Sequence, residues 1–236
     1  MNIKENVIRD IFRVSLSLFA ENGYAGTSIR HIAAQANISV GLTHHYFGNK
    51  ERLGRLALTL LSDYVCDAVD ARIDFESDPI LNDLTATRCR MQYMYHGPYR
   101  QFYLDSLRVD LFFNALLSNE ALLLNELQKQ YGFESTPDNN LLYNNYIPYN
   151  VEKTLILKKE EGLFPTIEYS EIPWHICYAS MGRFLPEALL REKDTAARAI
   201  ASEIQKSISS TPSDEVIDQY LMRLMGELSV KKDRDA

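Results

Sequence analysis

Cysteine is scarce in this chain: Cys66, Cys89 and Cys177 are odd in number and far apart, without the paired spacing of a disulfide framework or a zinc site. They are expected to be reduced, mostly buried thiols. Apolar residues make up 46% of the 236 positions, yet no uninterrupted apolar run reaches the ~20 residues a bilayer crossing requires. The opening MNIKENVIRDIF has acids where a signal peptide needs a basic region and lacks a small-residue cleavage site, so a cytoplasmic location away from membranes is expected. Glycine-rich nucleotide loops, His-Glu metal motifs and nucleophile elbows are missing. Nothing therefore argues positively for an enzyme, and no metal or cofactor is expected. Internal repeats and low-complexity linkers are missing too.

What the chain does have is a partition of charge. The formal charge of −7 hides a balance of +3 over residues 1–55, where Lys4, Arg9, Arg13, Arg30, Lys50, Arg52 and Arg55 face Glu5, Asp10, Glu21 and Glu51. Positions 56–236 therefore carry −10. One part is built to face a polyanion more readily than the other, although chance scatter of solvated charges explains the count about as well.

Apolar residues at three- and four-residue steps predict an all-α protein. Ile8, Ile11, Phe12, Ser15, Leu18 and Phe19 make one stripe, which Asn22-Gly23 ends because glycine accepts a left-handed conformation. Thr27 is expected to cap a second helix with Ile29, Ile32, Ala33 and Ala36 on its buried face, and Asn37 to take the positive φ of a sharp turn. Ser39 caps a third helix running to about Phe47. Helix, short helix, tight turn, helix is a helix-turn-helix.

Ser15, Leu18-Phe19, Gly23, Thr27-Ser28, Ile32-Ala33, Ile38-Ser39, Gly41, Tyr46-Phe47 and Lys50-Glu51 resemble, in order and spacing, the amino-terminal signature of tetracycline-repressor (TetR) family regulators. The likeness runs from the amino terminus to about Arg55. It implies a three-helix DNA-binding domain at 1–55 and a helical ligand-binding and dimerisation domain at 56–236, joined by a helix over about 50–75. The expected DNA face is Thr27, Ser28, Arg30, Ser39, Val40, Gly41, Leu42, His44, His45, Tyr46 and Lys50. Arg30 resembles the family position that reaches a base edge. Gly41 allows close approach, Leu42 can meet a thymine methyl, and His44 and Tyr46 carry donors of phosphate-reaching length. Lys50 with the free amides of its helix forms an anion site. Adjacent His44 and His45 point about 100° apart, which disfavours a metal. Three positions depart from the family pattern: Asn37 for a turn glycine, Thr43 for a large apolar residue and His44 for a tyrosine.

Pro79, Gly97-Pro98, Thr136-Pro137, Gly162, Pro173 and Pro212 punctuate the remaining helices, and Pro148 and Pro186 fall inside helical patterns, where proline is expected to kink the axis. The middle of the chain is dense in aromatics, the usual lining of a small-molecule site. Tyr93, Tyr99, Phe102, Tyr103, Phe113, Tyr143 and Tyr146 are the candidates. For each one singly, an ordinary core role is the more common one. Segments 173–191 and 214–228 resemble the family's paired dimerisation helices, with Trp174, Tyr178, Met181, Leu185, Tyr220 and Leu224 as interface candidates. Positions 194–209 read as an additional helix, and the tail KKDRDA is expected to fray. The implied protein is a homodimeric regulator, most readily a repressor, released from a near-palindromic double-stranded DNA operator by a small apolar or aromatic effector. A constitutive dimeric DNA-binding protein and a helical enzyme using the aromatic pocket are the rivals.

Overall fold

The structure is a computed structural model that describes residues 3–116 and 122–234, with side chains described over 4–115 and 123–225. Every regular element among the described residues is helical. None of these helices is long and apolar enough to cross a membrane.

Helix α1 (Ile3–Asn22) buries Ile8, Ile11, Phe12, Leu18 and Phe19, and the Ser15 hydroxyl in the same stripe donates to the Ile11 carbonyl at 2.7 Å. The helix ends at Gly23, whose φ is +69°. A Cβ at Gly23 would also come within 2.7 Å of Asp105 Oδ2, so conformation and space both demand glycine. Helix α2 (Ile29–Gln35) is capped by Ser28, which accepts from the His31 amide, and not by Thr27 as expected. Thr27 is 2% exposed, and its hydroxyl turns inward to the carbonyls of Leu18 (3.1 Å) and Gly23 (2.8 Å). Asn37 takes the turn at φ +54°. Helix α3 (Val40–Phe47) starts at its Ser39 cap and stops at Gly48, and Asn49 caps α4 (Lys50–Asp70).

Helix α4 ends at Asp70, short of the expected Phe75. The Asn82 side chain donates to Asp70 Oδ1 (2.8 Å) and to the Ile73 carbonyl (2.9 Å), and Asp74 accepts from the Ser77 amide (3.0 Å). These bonds fold the segment into a turn that no helical continuation could supply.

The body follows as α5 (Pro79–His96), α6 (Arg100–Arg108), α7 (Leu111–Leu116), α8 (Leu122–Tyr131), α9 (Pro137–Leu141), α10 (Ile147–Glu160), α11 (Ile172–Met181), α12 (Glu187–Ser207) and α13 (Asp214–Arg234). Pro148 falls inside a continuous helical run, as expected: α9, a π-helical turn at Leu142–Tyr146 and α10 follow one another without a break, and the wider turn lies just before the proline, which has no amide to donate. Pro186, by contrast, lies between helices, as the cap position of α12. The single amphipathic segment expected over 173–191 is therefore broken between Met181 and Glu187. The extra helix expected at 194–209 is the later part of α12. Of the tail, the side chains and positions 235–236 lie outside the described residues.

One apolar cluster runs through the molecule from Phe12 and Phe19 in α1, through Leu58 and Leu61 in α4, to Phe102 in α6 and Tyr220 in α13. A smaller one gathers Ile80, Leu84, Leu124, Leu127, Trp174 and Met181. Inside the body lies a polar network: Arg90 forks onto Glu152 at 2.7 and 3.0 Å, and the buried Tyr103 hydroxyl also donates to Glu152. Arg88 and Asp194 form a second buried pair between α5 and α12.

Candidate nucleic-acid interface

Helices α2 and α3 present one exposed face. Ser28, Arg30, His31, Ala34 and Gln35 of the α2 region lie on it beside Ser39, Val40, Gly41, His44 and His45 of the α3 region, none of them buried. A Cβ placed on Gly41 would meet nothing within 4 Å, so this part of α3 is open to close approach by a ligand surface. Inward, α3 buries Thr43 and Phe47, with the Thr43 hydroxyl donating to the Ser39 carbonyl at 3.2 Å. The small polar residue at 43 thus satisfies itself against its own helix.

The remaining expected DNA residues divide by placement. Leu42 and Tyr46 are half-buried, and Tyr46 packs on the core while its ring edges against His45. His44 Nδ1 is hydrogen-bonded with the Gly48 carbonyl, which holds the imidazole at the end of α3. Ser28 and Ser39 spend their oxygens on caps, and Thr27 is inside the protein. Arg30 extends from α2 with no hydrogen bond or ion pair among the described residues. His31, Ala34 and Gln35 are additions to the expected set. Stepping one and then four to five positions on from Arg30 along α2 reaches all three.

Lys50 opens α4, but its ammonium donates to the Tyr24 carbonyl at 3.0 Å and lies 4.1 Å from the centre of the Tyr24 ring. Burial holds its pKa below the usual lysine value, while the carboxylate of Asp105 pulls the other way. Asp105, on α6, accepts from the Ala25 amide (2.9 Å), Gln101 (2.8 Å) and Arg108 (2.9 Å). Close by, Phe19 stacks on Phe102 with centroids 4.5 Å apart and planes 2° from parallel. The α1–α2 turn is therefore fastened to the body by one carboxylate and one aromatic stack. Spacing along the chain offers no signal for Asp105, which lies far in sequence from Ala25.

The aromatics expected to line a small-molecule site do not form one group. Phe102 belongs to the stack just described, and Tyr103 to the Glu152 network. Phe113 meets Tyr146 (4.9 Å), while Tyr143 edges against Phe184 (5.1 Å) in the smaller cluster. Tyr93 and Tyr99 are buried side by side, with Tyr64 against the former. The Tyr93 hydroxyl is buried without a hydrogen-bond partner, and burial pushes its pKa far up. Of the expected dimer residues, Trp174, Met181 and Leu185 are packed in the smaller cluster and Tyr220 faces α1, with Leu224 half-buried beside it. Tyr178, 37% exposed, is on the surface.

Residues 11–55 match the family model of bacterial regulatory proteins, tetR family. A helix-turn-helix transcriptional repressor of Mycobacterium tuberculosis (strain H37Rv) is 44% identical over 50 residues, 21% of this chain and 27% of that protein. The regulator HbdR of Aromatoleum sp. (strain CIB) is 33% identical over 70 residues, 30% and 31% of the two chains. The matched stretch thus spans under a third of the length of these relatives. A solved tetR-family transcriptional regulator of Streptomyces coelicolor, 17% identical, superposes with a TM-score of 0.48 over 96% of this chain and 100% of its own. Residues 11–55 thus carry a domain of the kind found in the tetR family of bacterial regulatory proteins.

Proposed function

We propose that the protein is a DNA-binding transcriptional regulator, a repressor that reads a near-palindromic operator as a homodimer and leaves it when a small apolar or aromatic effector binds. Positions 1–55 are the reading head and 56–236 the sensing and dimerising body. The observation that carries this reading is the exposed face of α2 and α3. Arg30 is unencumbered there, Gly41 is open, and Val40, His44 and His45 stand beside them on a short helix held from behind by Phe47. Arginine paired with guanine is the commonest specific base contact, and a helix this accessible fits a major groove.

Two heads need a two-fold partner. The occupant we assign to the groove of about 620 Å³ on α10 and α11 is a second copy of this chain. Its lining (Leu142, Tyr146, Val151, Leu155 and His175 among others) includes no acidic or basic residue other than the histidine. Such a patch sets no like charges against each other when it meets its own copy across a two-fold axis. Tyr178 adds a further exposed ring on α11. The effector half of the proposal is supported by the unpartnered Tyr93 hydroxyl in an otherwise aromatic surrounding, a ready handle for one polar group on an apolar ligand.

The test is selection of bound sites from random duplex DNA by the purified chain, with affinity for the winner measured at two salt concentrations. A palindromic winner with a steep salt slope is the expected result. A folded dimer that enriches nothing would count against it. Compounds that raise the melting temperature and release the selected DNA identify the effector class, and turnover of such a compound would favour the enzyme reading.

A further inference from the structure

Helix α13 has one face on the amino-terminal part of the chain. It lies on α1 and α4, the helices that flank and carry the reading head. Tyr220 stacks on Phe12 of α1 (centroids 5.9 Å apart, planes 22° from parallel), and Phe12 stacks in turn on Phe47 at the end of α3 (6.3 Å, 14°). All three rings are at most 6% exposed. A column of near-parallel aromatics therefore runs from the carboxy-terminal helix, through α1, to the foot of the reading helix.

The register of this contact is set by charge. Arg9 and Arg13 lie one turn apart on α1, and Asp214 and Asp218 lie one turn apart on α13. Arg9 Nη1 is 3.1 Å from Asp218, and Arg13 is 3.1 Å from Asp214 and 3.5 Å from Asp218. Partly exposed pairs of this kind add little stability singly, but a shift of α13 by one turn along α1 would leave one of the two arginines without its carboxylate. Ile217 and Leu221 bury beside Tyr220 and close the seam.

We infer that Tyr220 is a positioning residue for DNA reading: through Phe12 and Phe47 it fixes the angle of α3 relative to the body. The inference rests on the DNA-binding reading, since only then does the angle of α3 have a functional meaning. Tyr220 is at the opposite end of the sequence from the helix it orients, so any shift of α13 is passed to the reading face through packed rings rather than through the chain.

The experiment compares the full-length protein with Tyr220→Ala, Tyr220→Leu and Tyr220→Phe by amide hydrogen exchange and by affinity for the selected DNA site. The leucine variant keeps apolar volume should the alanine variant fail to fold. Losing the ring is expected to speed exchange of the α3 amides and weaken DNA binding by roughly 3- to 10-fold each, the range an aromatic pair's coupling covers. Exchange in α5 and α12 stays at the parent rate, and phenylalanine restores both readouts. Parent-like α3 exchange and affinity in the leucine and alanine variants overturn the inference. So does equal acceleration in α5 and α12, or failure of phenylalanine to rescue. A parent protein that binds no DNA defeats the proposed function instead, while the exchange data still decide whether Tyr220 holds α3.

Discussion

Replacing Arg30 and Lys50 by alanine separates reading of sequence from holding of backbone. The Arg30 guanidinium is held by no described residue, so its loss should leave stability within about 0.5 kcal/mol. If it forks onto a guanine, removing it forfeits about 1–3 kcal/mol of discrimination at that base pair, or roughly 2–6 kcal/mol over the two half-sites of a dimer. Lys50 differs. Its ammonium already has the Tyr24 carbonyl and ring, so Lys50→Ala costs about 0.5–1 kcal/mol of local stability. Should the same ammonium also meet a phosphate, each copy lost lowers the slope of log affinity against log salt by about 0.9, or about 1.8 per dimer. A fourfold rise in salt would then cost the variant about twelvefold less affinity than it costs the parent. The assay is fluorescence anisotropy on the selected operator and on single-base variants of it, from low to moderate salt. A Lys50→Ala slope equal to the parent's refutes the phosphate role and leaves Lys50 as a staple of the α1–α2 turn. Uniform weakening across all base variants in Arg30→Ala refutes base reading.

Other outcomes follow from the body. Glu152→Gln breaks a buried fork and should cost about 3–5 kcal/mol, roughly 6–20 °C of melting temperature in a chain of this size, whereas replacing Arg90 and Glu152 together by apolar residues of similar volume recovers most of it. Equal melting of Glu152→Gln and parent would contradict the network. Burial pushes the Cys66 and Cys89 thiols up to about 12. The folded protein keeps protons that the unfolded chain releases from about pH 9, so this contribution is intact below pH 9 and is lost progressively from there toward 12. A urea midpoint that falls between about pH 8 and 10.5, and falls less in Cys66→Ala/Cys89→Ala, is the expected signature. Tyr146→Glu with Tyr178→Glu places like charges on the proposed two-fold face; sedimentation should show monomer, and a retained dimer moves the interface elsewhere.

Short-range chemistry makes the reading head legible. Ser39, Asn49, Asn37, Gly23 and Gly48 act within about one helical turn of themselves, through caps and positive φ, so the helix starts and stops around them can be read directly from the letters. The apolar stripe of α1 is equally local, because side chains three and four apart share a face in any helix. Where two caps compete the letters do not choose: Thr27 and Ser28 are chemically equivalent there, and the carbonyls of Leu18 and Gly23 decide which hydroxyl turns inward. The body is less legible for the same reason at longer range. An amphipathic segment announces that one face will be covered but not by what, so Tyr220 and Trp174 read as surface for a second chain, whereas Phe12 of α1 and the Arg191 guanidinium cover them. Local chemistry along the chain was enough for most helix starts and stops of the amino-terminal domain, whose signature carries the family resemblance. Folding in three dimensions had to settle that Asp105 fastens the head, that Glu152 closes a buried fork and that α13 lies on α1. Each of these joins groups far apart in the chain, whose attraction leaves no period in the sequence.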